Sequence, residues 1–436
     1  MTHQNRRTFV KAAAAAVSTG ALPIPGANDR INVVVVGVGG RGRNHVEEYS
    51  HLPNCRVAAV CDINQAAQER AVAMVEKLQG HKPRAYTDMR DVFSSKDIDV
   101  VSIATPNHWH ALATIWACQA GKDVYVEKPA CHNVYEGLKM IEAARKYNRM
   151  VQVGSQGRSI THKRRAIELL RQGVIGEVYM AKGLCFKRRK SIGHKPDTAT
   201  PPGINWDLFL GPAPMRPFNE LRYAYNWHWF WDTGNGDIGN QGVHEMDYAR
   251  WGLNNVTWPR SVVSTGGKFI YKDDQETPNT QLATFDFGDC QLIFEVRGLL
   301  TGSEGGIPTT GGNSIGNLFY GSDGFMSVDV NGFQVYKGED HKKVMEEKYA
   351  EPNQWATSPH ISNLLEAVKT RDRASLHADI EVGVISASLC HLANISYRLG
   401  RKLNFDPATR RFQNDEEANR MLTRRYRAPY VVPDNV

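Results

Sequence analysis

A β-branched run that feeds directly into spaced glycines constrains this 436-residue chain more than any other feature. Ile31–Val36 reads INVVVV, the unbroken apolar pattern of a strand buried on both faces. It continues into Gly37-Val38-Gly39-Gly40-Arg41-Gly42. In such a strand–turn–helix the first glycine makes the tight turn and the second lets the backbone approach a pyrophosphate. The third, Gly42, lets helix and strand pack closely, and the helix N-terminus faces the phosphate charge. A helix-compatible segment, Asn44–Leu52, leads to a second strand, Arg56–Cys61, that ends at Asp62, 20 residues beyond Gly42. That spacing suits a carboxylate on the adenosine ribose hydroxyls. Asp62 equally suits the start of the helix near Gln65, and both roles are compatible. Ile63 and Asn64 follow it, not arginine. A 2′-phosphate would meet Asp62 without a counter-charge, so NAD is expected rather than NADP.

The alternation continues through helix Gln65–Leu78, strand Asp99–Ala104, helix His108–Ala120, strand Asp123–Val126, helix Val134–Tyr147 and strand Met150–Val153. Strands alternating with helices predict a doubly wound parallel sheet. From Ser155 the pattern changes to strands near Val178–Phe186, Ser261–Phe269, Gln281–Phe287, Gln291–Arg297, Asn317–Tyr320 and Phe325–Val330, with helices at Lys163–Gln172, Ile361–Thr370 and Ile380–Leu399. The expected fold class is α/β: a Rossmann domain over 30–154, then an α+β domain over 155–405 with a large, mostly antiparallel open sheet. A tail, 406–436, packs back on the body.

Composition excludes several classes. The net charge of +7 is mild over this length, and the densest basic stretch, Arg420 to Arg427, fits a solvated helix face or an oligomer contact better than a nucleic-acid surface. Seven scattered cysteines without a CxxC argue against a disulfide framework or a zinc knuckle. No stretch approaches the ~20 apolar residues of a membrane span. At the N-terminus, Arg6-Arg7 precedes an Ala-rich stretch and Pro23, the layout of a twin-arginine export signal over 1–29. A periplasmic protein exported already folded has no need to pair its cysteines.

Val124–Pro129 reads VYVEKP, and Ala104–His110 reads ATPNHWH. With the opening glycines, these segments resemble the Gfo/Idh/MocA oxidoreductases from Arg30 to the C-terminal tail. The resemblance implies an NAD(H)-dependent enzyme acting on a carbohydrate or polyol, assembled as a homodimer or homotetramer. It places Gly37, Gly39, Gly40, Arg41, Gly42, Asp62, Thr105, Asn107, His108, His110, Glu127, Lys128 and Gln156 around the cofactor. Lys128 would hold the reacting hydroxyl. In the dense stretch Tyr223–Trp251, Asn240-Gln241-Gly242-Val243-His244 matches the family's D-x-G-x-H element, so His244 aligns with the family histidine. The family aspartate is here Asn240, which cannot ionise. Asp237 and Asp247 are the carboxylates available to support His244.

The expected mechanism has His244 as general base, Lys128 steadying the oxygen, and Asn240 and Asp237 assisting. Trp227 and Trp229, with Lys128, Asp237 and His244, are expected to meet the substrate, because aromatic faces stack on sugar rings. His228, Asp247 and His244 as metal ligands lack a fixed third partner, so no metal is expected. Lys182, Lys187, Arg188 and Arg189 read as ordinary surface residues near the cleft mouth. The Gly-, Thr- and Ser-rich segment Thr301–Asn313 reads as a mobile loop or a lid. An exported enzyme finds no free nicotinamide cofactor, so the cofactor is expected to stay tightly bound. One alternative is a redox-neutral, NAD-dependent glycosidase, an exception to the two-carboxylate pattern. A second, kept open by Asn240, is a non-catalytic NAD- or sugar-binding protein.

Overall fold

The computed structural model describes residues 30–349 and 357–436; the Arg6-Arg7 segment lies outside the described residues. Six strands form the first sheet: β1 Ile31–Val36, β2 Cys55–Cys61, β3 Arg84–Tyr86, β4 Val100–Ile103, β5 Asp123–Val126 and β6 Val151–Val153. They run parallel in the order β3-β2-β1-β4-β5-β6. The order reverses between β1 and β4, which opens a crevice at their carboxyl ends where a dinucleotide binds in such sheets. The turn after β1 uses its glycines as expected. Gly37 has φ +84°, and a Cβ on Gly42 would lie 1.9 Å from the Gly37 carbonyl oxygen.

The second sheet has ten strands: β7 Val178–Phe186, β8 Ser261–Gly267, β9 Thr280–Asp286, β10 Gln291–Arg297, β11 Ser314–Gly321, β12 Gly324–Asp329, β13 Gly332–Lys337, β14 Lys342–Lys348, β15 Leu403–Asp406 and β16 Arg411–Phe412. Their order is β14-β13-β12-β11-β7-β10-β9-β8-β15-β16. Pairing is antiparallel except between β7 and β10. Phe285, Phe294 and Phe319 from one face share a core with Met246 of helix Gly242–Gly252 and with Leu389 and Leu392 of helix Ile380–Leu399. Strand β14 reads KKVMEEK and is exposed along its length, so it has no apolar period to betray it; such charge blunts an open sheet edge.

Two helices from late in the chain also pack on the first sheet. Ile361, Leu364 and Leu365 of helix Ser358–Thr370 join the core of Val33, Val35 and Met150. Ile380, Val384 and Ala387 join that of Val126 and Val153. A parallel sheet must be covered on both faces, and the late helices supply part of that cover. The seven cysteines are free thiols, six of them buried. The tail does pack back: Tyr430 meets Trp109 edge-on with ring centroids 5.3 Å apart.

Candidate active site

A cavity of about 1010 Å³ runs from Asp62 and Arg70, past the glycine turn and the Glu127-Lys128 corner, to Tyr225, His244 and Asn313. Its first half is built to take a dinucleotide. Asp62 Oδ2 accepts the Val38 backbone N–H at 2.7 Å and Oδ1 that of Asn64 at 2.9 Å, so the carboxylate at the end of β2 braces the glycine turn after β1. Burial lifts its carboxyl above the ordinary aspartate value, against the pull of those backbone donors. A Cβ on Gly40 would meet nothing within 4 Å, and one on Gly39 only Asp62, so the turn faces open room. Thr105 Oγ1, on the cavity wall, is buried without a protein hydrogen-bond partner. Glycine turn, terminal carboxylate and waiting hydroxyl fit NAD.

Glu127, at the end of β5, is the hub of the next segment. Its Oε1 accepts from Arg41 Nε at 3.2 Å, His45 Nε2 at 3.0 Å and Gln156 Nε2 at 3.0 Å. Burial alone would raise this carboxyl, but Arg41 and His45 outweigh it and hold it well below the usual carboxylate range. A permanently charged Glu127 thereby fixes Arg41 beside the glycine turn and places the next residue. Lys128 Nζ donates to the Asn240 backbone oxygen at 3.0 Å and approaches Asn240 Oδ1 at 3.5 Å. Burial lowers the Lys128 ammonium from its ordinary value, with Glu127 opposing. Asn240 Nδ2 donates to the Tyr225 hydroxyl at 3.0 Å. His244, in the first turn of helix Gly242–Gly252, lines the same cavity. Burial first, then the charge of Lys128, pushes its imidazole well below the ordinary value, so it is neutral near pH 7.

Several sequence expectations are redirected. Asp237 does not line the cavity: its two oxygens take Arg189 Nε at 2.8 Å and Nη2 at 2.6 Å, a buried bidentate pair. Asp247 is likewise locked onto Arg158 at 2.7 and 2.8 Å. Helical spacing put Asp247 near His244, yet its side chain serves the core instead. Trp229 is 4% exposed and lies under the Arg189 guanidinium, away from the cavity that Trp227 lines. His108 is also outside it: Nε2 donates to Phe209 O at 2.8 Å, while Nδ1 lies 3.4 Å from Thr233 O. His110 does line the cavity, with its ring nitrogens 2.7 Å from Pro129 O and 2.8 Å from Thr105 O, so the ring sits between the two loops. Asn107 lines it too, with its amide on Asn235.

Other residues enter the wall unannounced. Lys187, expected on the surface, lines the cavity and donates to Gln241 Oε1 at 2.8 Å. Its neighbours Lys182, Arg188 and Arg189 bond instead to Glu304, Tyr271 and Asp237. His228, considered as a metal ligand, stacks on Trp227 at 3.5 Å and donates from Nδ1 to Tyr225 O at 2.5 Å. Pro308, Thr310 and Asn313 of the glycine-rich loop reach the cavity, and so does Tyr225. The Tyr225 hydroxyl accepts from both Asn240 and Arg189, each at 3.0 Å, which leaves its own proton for a third group.

Two family models match the chain. The oxidoreductase family's NAD-binding Rossmann fold covers residues 31–155, and its C-terminal alpha/beta domain covers 138–292 and 332–432. The chain belongs to the Gfo/Idh/MocA oxidoreductase family. Among curated proteins, this family member is similar to a glycosyl hydrolase family 109 protein of a Shewanella species, at 36% identity over 178 residues. It is also similar to an alpha-N-acetylgalactosaminidase of Shewanella oneidensis, at 32% over 176 residues. Each match covers 38% of this chain and 38% of the relative's length. Among solved structures, the WlbA dehydrogenase of Bordetella pertussis, in complex with NADH and UDP-GlcNAcA, shares the fold. Its TM-score is 0.62 at 19% identity, covering 86% of this chain and 99% of that one. The aldose-aldose oxidoreductase of Caulobacter crescentus does so with a TM-score of 0.64 at 17% identity, covering 86% and 100%.

The Asn240 departure gives a direct test. Asn240→Asp would place a carboxylate about 3.5 Å from Lys128 Nζ. An opposite charge at that range favours the ammonium, so the alkaline limb of the pH–rate profile should move up by about 1 unit or more. A profile that coincides with wild type would separate Asn240 from the titration of Lys128.

Proposed function

We propose that this family member oxidises a secondary hydroxyl of a sugar, glycoside or polyol, using an NAD that stays bound. The observation that carries the reading is the meeting of Lys128 and a neutral His244 in one cavity with the glycine turn and Asp62. When bound, NAD accepts the electron pair and hydrogen that leave the substrate carbon. His244 takes the hydroxyl proton; because it is uncharged at neutral pH, it is ready to do so. Lys128 Nζ, held by Asn240, donates to the same oxygen and stabilises the charge that develops there. Trp227 and Tyr225 supply aromatic surface for a sugar ring, and Gln241, Asn313 and Lys187 supply polar partners for its hydroxyls. Asp237 supports the wall through Arg189 and does not act on substrate.

A second reading is favoured by the curated relatives, which are named as glycoside hydrolases. In it, oxidation of the ring is followed by loss of the leaving group, addition of water and re-reduction. The net reaction is glycoside plus water giving sugar plus alcohol. The Tyr225 proton, free of Asn240 and Arg189, suits protonation of the leaving oxygen.

On the sheet face away from the helices, Val263 and Leu282 are exposed on neighbouring strands, an apolar patch suited to a homodimer or homotetramer. Arg6-Arg7 suits export to the periplasm; cell fractionation of the wild type and an Arg6→Lys/Arg7→Lys variant tests it.

The deciding experiment uses undialysed protein. Denaturation should release NAD(H), and incubation with sugars and glycosides should give a keto-sugar with changed cofactor absorbance. Glycoside cleavage with unchanged absorbance would select the second reading, and a protein that neither holds nor accepts nicotinamide would overturn both. His244→Asn should lower kcat by about 10²–10⁴-fold. In wild type the acid limb of kcat/KM should fall below pH 6.5, because the base is lost only when a depressed imidazole protonates. An acid limb at or above 6.5 would exclude His244 as the base.

A further inference from the structure

Part of the wall at the adenosine end of the cavity comes from outside the Rossmann domain. Beyond β7 the chain leaves the second sheet, and its short helix Trp206–Leu210 gives Leu208 and Phe209 to the cavity wall. It is stitched to both banks. On the β2 side, Gln65 N donates to Gly203 O and Asn205 N to Ile63 O, both at 2.9 Å. Asn64 Nδ2 donates to the Tyr223 hydroxyl, also at 2.9 Å. These partners immediately follow Asp62, the carboxylate suited to the adenosine ribose. On the β4 side, Trp109 Nε1 donates to Leu208 O at 2.9 Å, and His108 Nε2 donates to Phe209 O at 2.8 Å. Leu208, Phe209 and Tyr223 line the cavity together with Ile63, Ala67 and Arg70. Trp206 stacks on Phe209 at 4.7 Å, and Phe209 meets Tyr223 at 5.3 Å, so the segment is stiffened by its own rings.

The basic C-terminal tail fastens this segment from outside. Arg427 Nη1 donates to Asp207 Oδ1 at 2.6 Å and Nε to Gly211 O at 2.9 Å. The Tyr430 hydroxyl donates to Asp207 Oδ2 at 3.0 Å, and Arg424 Nη2 to Pro212 O at 3.1 Å.

We propose that residues 203–223 form a strap, buckled by Arg424, Arg427 and Tyr430, that is the outer wall of the adenosine site. NAD then leaves only when the strap lifts, and it behaves as a resident group, not an exchanging co-substrate. The proposal rests on reading the cavity as a dinucleotide site. His108 and the tail arginines have a part in it as positioning residues, since they hold the strap and do not reach the cavity.

Release of bound NADH is followed by its fluorescence after mixing with excess NAD. Tyr223→Phe removes only the hydroxyl that meets Asn64, and Arg427→Ala removes the buckle without touching the cavity. Both should speed release, Arg427→Ala by about tenfold or more. Binding of ADP-ribose should weaken in both variants, while binding of nicotinamide mononucleotide, which lacks the adenosine half, should be unchanged. Should Arg427→Ala fail to fold, Tyr223→Phe still carries the test. Release rates equal to wild type in the folded variants, or equal weakening of both half-ligands, would overturn the strap. Fast release from wild type with sugar oxidation intact would remove the strap and the retention of NAD, and leave the proposed oxidation standing. A protein that binds no nicotinamide dinucleotide would remove both.

Discussion

Lys128→Ala is expected to lower kcat by about 10²–10³-fold, the usual loss when one donor to a developing oxyanion is removed. Bound NAD should persist at wild-type stoichiometry. The expectation follows from how the lysine is held. Its Nζ is aimed into the cavity by the Asn240 backbone oxygen at 3.0 Å. The cofactor, by contrast, would meet the glycine turn, Asp62 and the strap. Arginine should not rescue the variant, because a planar guanidinium cannot replace a compact ammonium at this corner. Steady-state kcat together with nicotinamide counted after denaturation checks both halves. A variant that keeps full turnover would end the assignment of Lys128 to the reacting oxygen.

Acidification from pH 7 to pH 4 is expected to unfold the protein. Burial pushes His108 down to about 3, and His360 and His391 down to about 4. It also holds His132, His228 and His244 well below the ordinary value. The unfolded chain takes up protons near pH 6.5 that these folded rings refuse, so it binds more protons throughout the window below 6.5. Stability is therefore fully present above pH 6.5 and is lost as the pH falls toward 4. Each of the three histidines with a stated value removes about 3 kcal/mol by pH 4. Glu136 and Glu245, raised by burial to about 7, act in the opposite sense and offset about two of these rings. The remaining histidines still outweigh them, against a total stability of roughly 5–15 kcal/mol. Thermal melts at pH 7, 5 and 4 should show a steep fall, and a flat melting temperature across that range would reject the account.

Both predictions concern groups whose identity was plain in the sequence and whose surroundings were not. The glycine turn, Asp62 and the Glu-Lys-Pro corner were legible because their chemistry is local: a few adjacent residues and one fixed spacing define them. The strands β1, β5, β7 and β10 were legible because burial on a sheet writes an apolar pattern into six or so consecutive residues. Asp247 was misplaced because helical spacing fixes a face but does not reveal which arginine waits opposite it, and Asp237 was near in sequence but is held by Arg189. His108 shared a segment with true cavity residues, yet one step along a helix turned it to the other side. Lys187 carried no signal beyond its charge. Strand β14 and the strap escaped because one is polar throughout and the other is mostly irregular, held by backbone groups that every residue possesses.

The return of helices Ser358–Thr370 and Ile380–Leu399 to the first sheet has a consequence for how the molecule is born. The six parallel strands leave the ribosome early, but Ile361, Leu364 and Val384, which cover them, are made more than 200 residues after β6. At ordinary synthesis speeds that is a wait on the order of 10–50 s. Throughout it, the nascent nucleotide-binding half keeps bare apolar surface that a chaperone must shield. A truncation before Ser358 therefore leaves the first sheet without that part of its cover.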